Sequence, residues 1–296
     1  MNAAFVICTE PAFEKKSVLL VRSIRKFGGT LSSAPVYSFS PRKDHAISNW
    51  AEAEFSRLGV EHSNVELNMR YTKHGVYNKP FVCAYTEHRI PSEHLIFLDS
   101  DQVIFNDPKA LLIEDDYVAA VRPVNQANIG VSALVGGKNE KYWNELYQLC
   151  GVRTRSMVSP MLSDREIFAY FNTGMISIRR NSRAWSRWAA NFERVMEMRL
   201  EPSEPYFIEQ SVFAATVSSM NKPIALLPPN YNYPLPAHHA LSDRLRIASF
   251  EEAVSIHYFR AFNDRNWFIF LEHLPHFDRQ SERYDWLIQT LSELAL

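Results

Sequence analysis

The sequence predicts a mixed α/β protein with a mostly parallel sheet, because strands and helices alternate along its first half. Residues 3–8 form a continuous apolar run, which is typical of a strand buried on both faces. A helix is expected at residues 13–27, where Gly28 and Gly29 end it. The strand–helix–strand order that continues from there favours parallel strands with helices on the faces of the sheet.

The remaining elements are expected where apolar runs, helical spacing and turn residues alternate. Further strands are predicted at residues 35–39, 60–67, 94–98, 117–121, 173–178, 224–227 and 253–257. Further helices are predicted at residues 47–58, 78–89, 140–149, 182–199, 207–217 and 286–294. The polar stretch 151–165 is expected to be a mobile loop. The proline-rich stretch 228–240 is expected to be irregular, because proline disrupts both helices and central strands.

Composition is ordinary for a soluble globular protein, since 46% of the 296 residues are hydrophobic and 22% are charged. This length predicts about two domains, or one large α/β domain with an appendage. The 32 basic and 33 acidic residues leave a net charge of −1. A sequence-independent nucleic-acid binder needs clustered Lys and Arg, so we expect no nucleic-acid partner.

Three widely spaced cysteines, Cys8, Cys83 and Cys150, suggest neither a zinc site nor a disulfide framework. They are typical of a reducing compartment. The sequence has no signal-peptide pattern at its start, and no apolar run approaches the roughly 18 residues that span a bilayer. We therefore expect a cytoplasmic protein without a transmembrane anchor.

Two carboxylates follow the apolar strand at 94–98, in the DxD sequence Asp99-Ser100-Asp101. Ligands of open α/β sheets bind at this carboxyl edge. Aspartates two residues apart point the same way in an extended chain, and they repel each other unless a cation lies between them. A divalent cation such as Mn2+ or Mg2+, which also binds phosphate oxygens, suits this pair. A solvated turn is the alternative, because Asp and Ser are common in turns.

Two reaction classes use such a pair of aspartates. In a phosphohydrolase, Asp99 would attack phosphorus and Asp101 would act as the acid and base. Those enzymes usually carry the pair on their first strand, whereas 98 residues precede it here, and the acidic pair Asp115-Asp116 follows too soon. In the other class, the metal holds a nucleotide diphosphate while its sugar is transferred.

Six short segments of the chain also occur, in this order, in one enzyme family. They are residues 3–9, Asn78-Lys79, residues 96–101 with the turn at 106–108, residues 171–178, Glu209-Gln210 and residues 255–258. The set resembles the GT-A glycosyltransferases, most of all the retaining family-8 group that includes glycogenin and bacterial galactosyltransferases. The resemblance covers residues 5–265.

The resemblance implies a GT-A fold, which is a Rossmann-like mixed, mostly parallel sheet flanked by helices, with a helical and loop C-terminal part. It implies one catalytic domain over residues 1–270. Within it, residues 1–125 would form the nucleotide-binding half and residues 126–270 the donor and acceptor half. Residues 271–296 would form a C-terminal helical segment.

The resemblance also implies a role for particular residues. The predicted ligands of Mn2+ (or Mg2+) are Asp99, Asp101 and His257. Gln210 would lie beneath the anomeric carbon, with Glu209 beside it, and Asn172 would bind donor hydroxyls or the acceptor. The predicted substrate-binding residues are Cys8, Thr9, Asn78, Lys79, Ser100, Arg265 and Trp267. Of these, Arg265 would clamp the diphosphate.

The implied function is a metal-dependent, hexosyltransferase-like enzyme. It would transfer a sugar, with retention, from a nucleotide sugar donor of the UDP-sugar type to a glycan, lipid or protein acceptor. The chain departs from the family at Phe259, where the family has a glycine, and at Glu209, where it has Asp. Two alternatives stay open, the phosphohydrolase and a GT-A-like scaffold that binds nucleotide or glycan without turnover.

Overall fold

The predicted α/β fold is confirmed by the computed structural model, which describes residues 3–132, 137–163, 165–262, 267–274 and 276–296. Its strands are β1 (Ala3–Cys8), β2 (Val36–Ser40), β3 (Val60–Asn64), β4 (His94–Leu98), β5 (Gln102–Ile104), β6 (Ala119–Pro123), β7 (Met157–Val158), β8 (Ile167–Phe168), β9 (Phe171–Arg179), β10 (Ile224–Leu226), β11 (Tyr233–Pro234) and β12 (Ser255–His257). Its α-helices are α1 (Glu14–Phe27), α2 (Asn49–Arg57), α3 (Asn78–Arg89), α4 (Glu140–Cys150), α5 (Ala184–Glu197), α6 (Ile208–Ser219), α7 (Trp267–Glu272) and α8 (Glu282–Leu294).

A seven-stranded sheet in the order β10-β6-β9-β4-β1-β2-β3 forms the centre of the protein. Its neighbouring strands are parallel except around β9, which runs antiparallel to both β4 and β6. The apolar run in β1 lies between β2 and β4. Successive side chains of a strand point to opposite faces. Accordingly, Phe5 and Ile7 belong to one hydrophobic cluster, and Ala4 and Val6 belong to the other.

The two clusters are covered by different helices, as the alternating pattern predicts. On one face, α1, α2 and α8 supply buried residues to the first cluster. On the other face, α3, α4, α5 and α6 cover the second cluster. Helix α8 packs on α1, where the rings of Trp286 and Phe27 have centroids 5.0 Å apart. The division of the chain at residues 125 and 270 stays a prediction.

A smaller sheet lies beside the carboxyl edge of β4. In it β5 pairs antiparallel with β12, and β12 pairs parallel with β11. Its register sets His257 opposite Gln102, and the amide of Tyr258 donates to the carbonyl of Asp101 at 3.1 Å. This sheet therefore carries a late segment of the chain to the Asp-Ser-Asp turn.

The structure differs from the sequence-based expectations at a few elements. The stretch 151–165 is not wholly loop, because β7 pairs antiparallel with β8. Val158 of β7 and Ile167 of β8 are buried in the second hydrophobic cluster, which anchors this short pair. The strand expected at 60–67 ends at Asn64, and α8 begins four residues before its expected start, after Ser281 caps it. Nowhere in the described ranges is there a helix both long and apolar enough to cross a bilayer.

Candidate active site

Three potential metal ligands meet at the carboxyl edge of the central sheet. Asp99 and Asp101 follow β4, His257 ends β12, and one ligand atom from each lies within 4.8 Å of the others. The Nε2 atom of His257 is 3.0 Å from Oδ1 of Asp101. Burial would raise the pKa of Asp101, but the adjacent His257 holds it below the ordinary value. Two carboxylates and an imidazole form a donor set that suits Mn2+ or Mg2+.

A chain of hydrogen bonds orients the imidazole of His257. The amide of Gly174 donates to Oδ1 of Asn172 at 2.8 Å, and Nδ2 of Asn232 donates to the same oxygen at 2.9 Å. The Oδ1 atom of Asn232 is then left to accept from Nδ1 of His257, at 2.9 Å. With Nδ1 held by Asn232, Nε2 faces Asp101, where a bound metal would take its lone pair.

Gly174 lies so close to the ligands that no side chain fits there. A Cβ at this position would be 2.8 Å from Cε1 of His257 and 3.1 Å from Oδ2 of Asp99. We therefore expect Gly174→Ala to weaken Mn2+ binding by about tenfold or more, because both ligands must move. Calorimetric Mn2+ titration measures this. Gly137→Ala is the control, since no atom of a described residue lies within 4 Å of its added Cβ. Equal Mn2+ affinity in both variants would contradict the assignment of Asp99 and His257 as metal ligands.

Lys79 lies between the carboxylates of Asp99 and Glu209. Its Nζ atom is 2.9 Å from Oδ2 of Asp99 and 3.6 Å from Oε1 of Glu209. The side chain is only 8% exposed. Burial would lower the pKa of Lys79, but the two carboxylates together raise it above its ordinary value. Lys79 is therefore a fixed buried cation that balances the acidic groups around it.

Glu209 and Gln210 begin α6, and polar groups of β9 and its neighbourhood hold both side chains. Thr173 donates its hydroxyl to Oε1 of Glu209 at 2.8 Å. Gln210 accepts from the amide of Thr173 at 3.3 Å and donates to the hydroxyl of Tyr170 at 3.2 Å. The amide group of Gln210 is thus oriented before any ligand binds.

Burial raises the pKa of Glu209 to about 7 from an ordinary 4.5, against the opposing effect of Lys79. Below pH 4.5 the carboxyl is protonated in both the folded and the unfolded chain, so it has no effect on stability. Between pH 4.5 and 7 the unfolded chain releases the proton first, so stability falls as the pH rises. At 1.36 kcal/mol per pKa unit, the full cost above pH 7 is about 3 kcal/mol.

Glu209→Gln removes this titration. We expect the free energy of unfolding of the variant, relative to the wild type, to increase by about 3 kcal/mol between pH 4.5 and pH 8. Urea unfolding at several pH values measures the difference. Parallel pH profiles for the two proteins would show that Glu209 titrates in the folded state as it does in the unfolded chain.

Two cavities meet at the aspartates. The first, of about 370 Å³, is lined by the predicted catalytic residues Asn172, Glu209 and Gln210. The second, of about 340 Å³, is lined by the predicted substrate-binding residues Cys8, Asn78, Lys79 and Ser100. Asp99 and Asp101 line both cavities. A metal held by them would therefore be in reach of both cavities.

Three predicted substrate-binding residues are not placed in these cavities. Thr9 is buried, and its hydroxyl donates to Ser17 and accepts from Ser38, each at 2.9 Å. Trp267 begins α7, with its ring centroid 6.2 Å from that of Phe262. Arg265 lies outside the described residues.

Several residues of the site were not found by sequence reasoning. Glu10 is buried in an ion pair with Arg42 and accepts from Nδ2 of Asn78 at 3.0 Å. Tyr206 lines both cavities. Phe259 has a φ of +52°, a conformation that favours glycine, and its ring stacks on His257 with centroids 3.9 Å apart. The only signal for Phe259 in the sequence was that the family has a glycine at this position.

The fold is shared with solved glycosyltransferases. The galactosyltransferase LgtC, in complex with donor and acceptor sugar analogues, aligns over 96% of this chain and 99% of its own, with 14% identity and a TM-score of 0.53. The glycosyltransferase GlyE of Streptococcus pneumoniae aligns over 99% of this chain and 64% of its own, with 12% identity and a TM-score of 0.54. The bifunctional glycosyltransferase WbbM aligns over 98% of this chain and 51% of its own, with 12% identity and a TM-score of 0.54.

These identities are low, and they show a common GT-A fold. The chain spans about half the length of WbbM and less than two thirds of GlyE. No curated protein sequence matches it. Residues 4–221, about three quarters of the chain, match the Rhodobacterales glycosyltransferase domain. The protein therefore belongs to the Rhodobacterales glycosyltransferase domain family and has a GT-A fold.

Proposed function

We propose that this glycosyltransferase depends on Mn2+ or Mg2+ and transfers a sugar from a UDP-sugar to an acceptor, with retention at the anomeric carbon. The observation that carries the proposal is the position of Asp99, Asp101 and His257 where the two cavities meet. The cavity next to Cys8 and Asn78 would take the nucleotide, and the cavity next to Gln210 would take the sugar. The cytoplasm is its proposed location.

The bound cation would supply positive charge to the diphosphate as it leaves. Asp99, Asp101 and His257 would hold that cation. Lys79 keeps the carboxylates of Asp99 and Glu209 close together by balancing their charge. Because hydrogen bonds already fix its amide, Gln210 would position the sugar without a reorganisation cost.

Glu209 acts on the site through its neighbours in this proposal. It is fully buried, accepts from Thr173 and lies 3.6 Å from Lys79. With a pKa of about 7, raised by burial, it is a weak candidate for an ionised nucleophile. Gln210 and Asn172 offer neutral amide groups on the sugar side, as retention in family-8 enzymes would require.

A thermal-shift screen tests the donor and the metal together. The purified protein is heated with UDP, GDP, CDP and common nucleotide sugars, with and without Mn2+. A ligand at about 100 times its dissociation constant stabilises the fold by roughly 2.7 kcal/mol. We expect a Mn2+-dependent shift with UDP and with one UDP-sugar, and its loss in Asp101→Ala. A shift that is independent of Mn2+, or none with any nucleotide, would refute the proposal.

Product analysis separates the remaining alternatives. NMR of the transferred sugar reports its anomeric configuration, and an inverted linkage would refute retention. Release of inorganic phosphate from simple esters would instead favour the phosphohydrolase. Binding of UDP without transfer or hydrolysis of any donor would favour the non-catalytic scaffold.

A further inference from the structure

A basic cleft of about 540 Å³ lies next to the sugar cavity. Arg122, His239, Arg244 and Arg246 line it, and the described residues that line it include no Asp or Glu. Leu162 lines both the cleft and the sugar cavity, so it forms the wall between them. None of the residues that line the nucleotide cavity lines this cleft. The cleft is therefore distinct from the nucleotide cavity and shares a wall residue with the sugar cavity.

Arg122 is a buried cation without a counterion in the described part of the chain. The residue is 1% exposed, and its Nε and Nη1 atoms have no hydrogen-bond partner among the described residues. The one hydrogen bond that its side chain forms within these residues runs from Nη2 to Oδ1 of Asn125, at 2.6 Å. Burial lowers the pKa of Arg122 to about 9, which reflects how strongly its charge is disfavoured there. A buried charge without a partner lowers the stability of the folded protein, so a bound anion would stabilise it.

The same arginine is tied to the sugar cavity. Asn125, which it holds, lines that cavity. On β6, Arg122 lies opposite Asn172 of β9 in the sheet register. The wall between cleft and cavity is attached to the same strand end, because the amide of Leu162 donates to the carbonyl of Asn125 at 2.8 Å. Only the side chain of Leu162 would therefore separate a ligand in the cleft from the sugar cavity.

The two arginines on the rim of the cleft, Arg244 and Arg246, differ in the hydrogen bonds and ion pairs that they form. Arg246 is held by the carbonyls of His238 and His239, at 3.2 and 2.9 Å, and by the exposed Asp243 at 2.9 Å. Arg244 is exposed, and it forms no hydrogen bond or ion pair with any residue that the structure describes. Arg244 is thus free to close on a ligand, while Arg246 shapes the rim.

We propose that this cleft binds the acceptor and selects one that carries a carboxylate or phosphate group beside the hydroxyl to be glycosylated. The inference rests on the proposed function, since it assigns the acceptor side of that site. Arg122 supplies positive charge in the wall of the cleft, and Arg244 contacts the anionic group from the rim. Charge-assisted hydrogen bonds of this kind distinguish an anionic sugar from a neutral one of the same shape.

NMR titration with three matched sugars tests the cleft without any donor. The probes are glucose, glucuronate and glucose 6-phosphate. We expect at least one anionic sugar to bind the wild type about tenfold or more tightly than glucose, because a hydrogen bond to a charged group contributes about 1.5 kcal/mol or more. The tighter of the two anions identifies the group. Equal binding of all three sugars would overturn the proposal.

Substitutions of the cleft arginines test whether the anionic sugar binds in the cleft. Arg122→Met and Arg244→Met should each reduce the affinity for the anionic sugar by about tenfold and leave glucose unchanged. Arg57→Met, on the exposed surface of α2, is the matched control and should bind as the wild type does. Since Arg244 is exposed, its variant tests the proposal even if Arg122→Met does not fold. Retention of anion binding by Arg244→Met and by any folded Arg122→Met protein would overturn it.

Asp99→Asn separates this inference from the proposed function. The variant should lose the Mn2+-dependent nucleotide shift and still bind the anionic sugar, because Asp99 does not line the cleft. A wild type that binds the anionic sugar but no nucleotide would support the cleft and refute the proposed donor. The opposite pattern would refute the cleft alone.

Discussion

Replacement of Asp99 by Asn is expected to reduce metal-dependent sugar transfer by about a thousandfold or more. The variant loses one of three ligands that converge within 4.8 Å, and the charge that a bound metal offers the departing diphosphate contributes several kcal/mol. Each 1.36 kcal/mol corresponds to a factor of ten in rate. The rate of UDP-sugar turnover, measured over a Mn2+ titration, gives both the loss of kcat and any shift in metal affinity.

The matched control for this experiment is Asp107→Asn. Asp107 lies eight residues further along the chain, accepts from the hydroxyl of Thr30 at 3.1 Å and lines neither cavity. The control should keep its activity, and circular dichroism should show that both variants are folded. Full activity of Asp99→Asn at saturating Mn2+ would rule out the assignment of this cluster as the metal site.

Replacement of Lys79 by Met is expected to destabilise the protein by about 3–5 kcal/mol at pH 8. The variant leaves the carboxylates of Asp99 and Glu209 without the cation between them, and removing one partner of a buried ion pair has a cost of this size. Urea unfolding gives the change in free energy. Lys141→Met is the control: Lys141 is 88% exposed, its pair with Glu145 is 3.8 Å long, and such pairs contribute at most about 1 kcal/mol.

A double variant tests the cause of this loss. Glu209→Gln removes the more deeply buried of the two carboxylates, whose side chain is 3% exposed. At pH 8 it should therefore stabilise the Lys79→Met protein by more than it stabilises the wild type. If the two changes are additive instead, the damage in Lys79→Met comes from packing and not from unbalanced charge.

Much of the fold could be predicted from local pattern. The apolar run of β1 and the helix that follows it are enough to place a buried parallel strand. A strand was predicted at residues 253–257, and β12 forms within it, whereas β5 and β11 were not predicted because they are only three and two residues long and β11 contains a proline. These two strands exist because both pair with β12, and such pairing is not encoded in their own spacing.

The residues of the candidate site also differ in how far the sequence alone predicts them. Asp99 and Asp101 form a recognisable motif because they lie within three residues of each other in the sequence. His257 joins them only because β12 pairs in register with β5. Asn232, which orients His257, has no motif at all. Its role depends on a hydrogen-bond chain through Asn172 and Gly174 that spans about 80 residues of sequence.

From its amino-acid order alone, this chain is recognisable as an α/β protein that resembles GT-A glycosyltransferases and carries an aspartate pair at a strand end, because periodicity and short motifs are local properties. Folding in three dimensions decides the rest. It leaves Thr9 among buried serines, closes Lys79 between two carboxylates and buries Arg122 with no counterion among the described residues. These are consequences of burial, and the energy of a buried charge depends on neighbours that are distant in sequence.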